Sequence, residues 1–161
     1  MNTAIFFADG FEEIEGLTVV DMFRRAGIPI QTVSISDSLT VTGSHDIKVQ
    51  ADCLLADFDF NTVEMLILPG GMPGTTNLSK CEPLCDALMQ FSRQGRYLAA
   101  ICAAPSILGN LGILNGRVPH ATLGFEKKLL VLYQPLDPVA KDGHVITRPA
   151  AWVQPSNLPP H

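Results

Sequence analysis

Residues 97–113, YLAAICAAPSILGNLGI, decide the fold. Tyr97 to Ile101 is a short apolar run of strand length, and from Cys102 onward small and apolar residues read as a helix. A buried strand that runs straight into a helix is the repeating unit of an open α/β sheet. Upstream, Met65 to Leu68 is a second buried strand, ended by Pro69-Gly70-Gly71 and followed by a helix from about Leu78 to Arg93. At the start of the chain, Thr3 to Ala8 is a third such strand, turning at Asp9-Gly10. The helix FEEIEGLTVVDMFRRAG comes next, with acidic residues in its first turn and Arg24-Arg25 in its last, as the helix dipole favours. Gly27 stops it, Ile30 to Ile35 is another strand, and Thr40 to Ala51 alternates as a hairpin or bulged pair around Gly43.

Beyond Arg117 the pattern loosens. Ala121 to Phe125 reads as a strand, and Val139 to Thr147 as a hairpin turning at Asp142-Gly143. The ending RPAAWVQPSNLPPH is rich in proline, has no periodicity and reads as no folded element. Apolar strands alternating with helices specify a mostly parallel sheet covered on both faces, a doubly wound α/β sandwich.

With 161 residues the chain fits one domain. A formal net charge of -5 offers no basic field for nucleic acid or anionic membrane. No apolar run approaches the roughly 20 residues that span a bilayer. The N-terminus lacks the basic flank and small-residue cleavage site of a signal peptide, so the expected location is cytoplasmic. The 4 cysteines, Cys53, Cys81, Cys85 and Cys102, suggest no disulfide framework. Cys81 and Cys85 share one face of the expected helix, where packing is favoured over metal binding because no third ligand lies nearby in sequence.

In open α/β sheets ligands bind beyond the carboxyl ends of the strands. Three features fall there: Glu12, Glu13 and Glu15 after Thr3 to Ala8, Gly70-Gly71 after Met65 to Leu68, and Cys102 after Tyr97 to Ile101. A cysteine at a sharp strand-to-helix turn projects outward and meets unpaired amides and the positive dipole end, which favour a thiolate. The alternative is an inert, buried thiol. The Gly-rich turn, with the amide of Ala103, could bind an oxyanion, or be a plain turn. Glu15, one turn into its helix, is the carboxyl placed to meet the sulfur, where burial would keep it protonated. Glu12 and Glu13 suit a solvated helix end.

The strings FADGFEEIE, LILPGGMPGTTNL, AAICAAPSILGNLGILNGR and DGHVIT occur in order at spacings that resemble the ThiJ/PfpI superfamily, in its DJ-one-like branch, from about Thr3 to Thr147. The resemblance implies a flavodoxin-like, usually dimeric fold. It assigns the nucleophile to Cys102, a protonated partner to Glu15, and oxyanion amides to Gly71 and Ala103. Such a fold can suggest flavin, but the Pro-Gly-Gly turn is not a phosphate loop, so no cofactor is expected, and no metal. Some relatives place a histidine near the cysteine; here His120 is out of register and receives no role. The implied activity is a glyoxalase- or deglycase-type reaction on small reactive carbonyls or early glycation adducts. A redox sensor or stress chaperone that oxidises Cys102 is the alternative. Protease action and a thiamine-related role, carried by the family name alone, rank lower.

The ending departs from the family, which continues past D-G-x-x-I-T with a segment like S-R-G-P-G-T-A-x-E-F-A and a final helix. Shifting the reading frame from Pro149 permits R-G-(Leu/Met/Val)-G-T-A-F-E-F-A. The expectation is therefore a family domain over 1–147 and a frameshifted tail over 148–161, an idea that resequencing the source gene would sink if the frame were intact.

Overall fold

The computed structural model describes residues 1–115 and 140–148. Seven strands form one sheet in the order β5-β2-β1-β6-β7-β9-β8. They are β1 (Thr3–Phe7), β2 (Ile30–Ser34), β5 (Cys53–Leu54), β6 (Met65–Leu68), β7 (Tyr97–Ile101), β8 (Ala140–Asp142) and β9 (Val145–Arg148). All neighbours are parallel except β8 with β9. The hairpin β3 (Thr40–Thr42) and β4 (Lys48–Gln50) forms a separate antiparallel pair. The helices are α1 (Glu13–Arg25), α2 (Gly74–Ser79), α3 (Glu82–Gln94) and α4 (Pro105–Asn110).

The strands are apolar on both faces because both faces are covered. On β1, Ile5 and Phe7 join Phe11, Val20 and Ile67 under α1, while Ala4 and Phe6 face Leu66, Leu88, Phe91 and Ile107 on the other side. The twofold alternation of strand side chains divides the core in this way. Gly16 lets α1 come close to the sheet: a Cβ there would lie 2.8 Å from the Phe7 ring and 2.9 Å from that of Phe11. Gly27, at φ 69°, ends α1, and the Ile28 amide donates back to the Phe23 carbonyl.

The expected doubly wound sheet is present, with four local differences. The single helix expected from Leu78 to Arg93 is two, α2 and α3, and Cys81 is the N-cap of the second. Pro83 has no N–H and would clash with the carbonyl four residues back, so one helix cannot run through it. Cys81, as the N-cap, and Cys85 still lie one turn apart at the start of the second helix, the Cys85 amide donating to the Cys81 carbonyl at 3.0 Å. The helix after Cys102 starts only at Pro105, so the sulfur is not in its first turn and the dipole argument does not apply. The last hairpin turns at Gly143-His144, since Asp142 already pairs with Val145; Gly143, at φ 59°, takes the left-handed conformation. The edge strand β5 is too short for its pattern to show in the sequence.

Among the described residues no helix is long and apolar enough to cross a membrane. The strand expected at Ala121 to Phe125, His120 and the tail from Pro149 lie outside the described residues.

Candidate active site

The chain enters at β1, builds outward through β2 to β5, then returns to place β6 on the other side of β1. The strand order thus reverses between β1 and β6, and a crevice opens beyond their carboxyl ends. The loops after β1, β6 and β7 meet there. Gly10, at φ 84°, turns the chain, and its carbonyl accepts the Gly74 amide at 3.0 Å. The Glu12 amide donates to the Gly70 carbonyl at 2.9 Å, fastening the start of α1 to the turn after β6.

This fastening brings Glu15 to Gly70, whose amide donates to Glu15 Oε2 at 3.0 Å. Glu15 is 4% exposed and also hydrogen-bonds the Cys102 side chain. Burial pushes its pKa up. The bonds from Cys102 and the Gly70 amide oppose that, the nearby Glu12 charge adds to it, and the net shift is upward.

Cys102 is half-buried and sits at φ 63°, in the left-handed region. A non-glycine residue held there costs on the order of 1–3 kcal/mol, so surrounding contacts must impose it. The Ala104 amide donates to Ile101 at 3.0 Å, and Ser106 Oγ donates to the Ala103 carbonyl at 2.6 Å, which fixes the turn.

Gly70 makes the approach possible. A Cβ on it would lie 2.6 Å from Cys102 Cβ, 2.6 Å from Glu15 Oε2 and 3.1 Å from Cys102 Sγ. Gly71, at φ 91°, leaves no room for a side chain against Gly10 and Phe11. Among the described residues the amides of Gly71 and Ala103 have no hydrogen-bond acceptor. The Gly70 amide, by contrast, is committed to Glu15.

The glutamates at the start of α1 differ from the solvated end expected. Glu13 is 3% exposed and grips the β3–β4 hairpin. Its Oε1 accepts the His45 amide at 2.7 Å, and its Oε2 lies 2.9 Å from His45 Nδ1 and 3.2 Å from Ser44 Oγ. Burial pushes this carboxyl up, but the His45 ring and the backbone amides outweigh it and hold the pKa at about 2. Sequence reading missed His45, since nothing local links it to a glutamate 32 positions away. A cavity of about 580 Å³ at the opposite end of the sheet, lined by Asn2, Arg24 and Pro29 among others, holds neither a cysteine nor a carboxylate.

Fold and site define an open α/β protein with a thiol on a strained turn, set against a buried carboxyl at the switch point. The chain belongs to the DJ-1/PfpI family, whose model matches residues 1–152. It is 33% identical over 142 residues to Protein DJ-1 homolog B of Arabidopsis thaliana, covering 87% of this chain and 32% of that protein, so it spans about a third of that relative. It is 29% identical over 124 residues to Deglycase TK1284 of Thermococcus kodakarensis, covering 76% of this chain and 73% of the relative. The solved structure of oxidised Toxoplasma gondii DJ-1 superposes with a TM-score of 0.87 at 29% identity, over 92% of this chain and 82% of the other. The flavodoxin-like architecture and the DJ-1-like branch follow from these likenesses.

Proposed function

We propose that the chain is a cofactor-independent enzyme that acts on small reactive carbonyls or early glycation adducts, with Cys102 as nucleophile. The observation that carries this reading is the hydrogen bond between Cys102, held at φ 63°, and the buried carboxyl of Glu15. A relative named a deglycase supports the class of reaction.

With methylglyoxal as substrate, the Cys102 thiolate attacks the aldehyde carbon and forms a hemithioacetal, whose oxygen lies toward the amides of Gly71 and Ala103. Glu15 carries the proton that leaves this carbon to the neighbouring one, giving a thioester of lactate. Water cleaves the thioester, regenerates the thiol and releases lactate. One aldehyde and one water are consumed per turnover, with no net redox change. With an adduct, the amine or thiol leaves when the aldehyde is transferred to Cys102. The test is direct: purified chain given methylglyoxal should release lactate catalytically, and failure to do so would remove this reading.

A second reading rests on the same carboxyl. A protonated Glu15 against the sulfur can donate to a sulfinate, so two equivalents of peroxide would convert the Cys102 thiolate to a sulfinate and two waters. Gain of two oxygens at Cys102, seen by mass spectrometry without lactate release, would favour a sensor over an enzyme. We also assign the chain to a cytoplasmic homodimer. Ile14 and Leu17 on α1 and Ile47 on the hairpin are exposed apolar residues that a second copy would cover. Light scattering at the mass of a single chain would rule this out.

A further inference from the structure

We propose that Glu12, Glu13 and His45 bind one divalent transition-metal cation of the zinc class, which clips the β3–β4 hairpin to the start of α1. The set joins two elements and mixes two carboxylates with an imidazole, a donor combination suited to zinc, cobalt and related ions. One ligand atom from each residue lies within 4.8 Å of the others. His45 Nδ1 is 2.9 Å from Glu13 Oε2 and 3.6 Å from Glu12 Oε1. A tetrahedral ion with bonds of about 2.0–2.1 Å sets its ligand atoms about 3.3 Å apart, so those two spacings already bracket the requirement.

The ligands are held before any ion arrives. Backbone bonds join Gly10 to Thr42 and Ser44 to Phe11, each at 2.8 Å. Asp9 Oδ1 accepts the Thr42 amide at 2.8 Å. Gly43 has no side chain, and Glu13 lies against it in the space a Cβ would need. A cavity of about 350 Å³ lies against the same three residues, bordered by Ile14 and Ile47. Two carboxylates facing one imidazole leave an excess of negative charge, which a divalent ion would neutralise as it displaces to solvent the proton that Nδ1 shares with Glu13. This role is independent of what Cys102 does.

Cobalt(II) is the probe, because its visible bands report the ligands. Titration of the full chain should give a saturable weak absorption without the intense near-ultraviolet band of a cobalt–thiolate bond. Affinity should fall at least tenfold in Glu12→Gln and in His45→Asn, whose amide can still donate to Glu13 and preserve the hairpin. An unchanged urea midpoint would show that both variants fold. The proposal is overturned by no saturable binding, by a thiolate band, or by affinity that survives both substitutions.

Discussion

Replacing Cys102 with serine is expected to reduce lactate release from methylglyoxal by on the order of 1,000-fold or more while leaving the fold intact. Serine is close in size to cysteine, so it keeps the turn at φ 63° and can still meet Glu15. The hydroxyl is far less acidic than a thiol and forms little nucleophile at neutral pH. The substitution therefore separates chemistry from packing, which an alanine would not do as cleanly. Thermal melts of the two proteins should nearly coincide. Lactate release by the serine variant at the wild-type rate would show that the sulfur does not react.

The second large effect is expected at a residue with no side chain. Gly70→Ala puts a methyl 2.6 Å from both Cys102 Cβ and Glu15 Oε2. Neither neighbour can yield cheaply. Cys102 Cβ moves only with its backbone, and the Glu15 carboxylate is tied to the Gly70 amide. Overpacking of this kind costs about 1–3 kcal/mol of stability. The loss of activity should be larger in proportion, about 100-fold, because a displacement near 1 Å between reacting groups has that effect. Urea unfolding and lactate release, measured on one preparation, separate the two. Full activity in Gly70→Ala would mean that close approach of sulfur and carboxyl is not required.

Much of this was legible in the chain. Met65–Leu68 and Tyr97–Ile101 stand out as strands because they are short, apolar and followed by Gly or small residues. The strand-end rule places Glu15, Gly71 and Cys102 at one edge from the sequence alone. What was not legible depends on tertiary context. The burial of Glu13 follows from a hairpin that folds back over α1, and no local pattern distinguishes it from its solvated neighbours. The break at Lys80-Cys81 was signalled by Pro83, but the apolar periodicity on either side masked it. The separate jobs of the two glycine amides, Gly70 on the carboxyl and Gly71 without an acceptor among the described residues, follow from backbone direction, which Pro-Gly-Gly alone does not specify.

The central claim is that Cys102 and Glu15 act as one unit. The rate of Cys102 alkylation by iodoacetamide, followed against pH in wild type and Glu15→Gln, tests it most directly. Two coupled ionisations are expected in the wild-type profile and one in the variant, because the group hydrogen-bonded to the sulfur no longer titrates. Superimposable profiles would contradict the claim, since a carboxyl hydrogen-bonded to the thiol cannot be removed without changing how that thiol titrates.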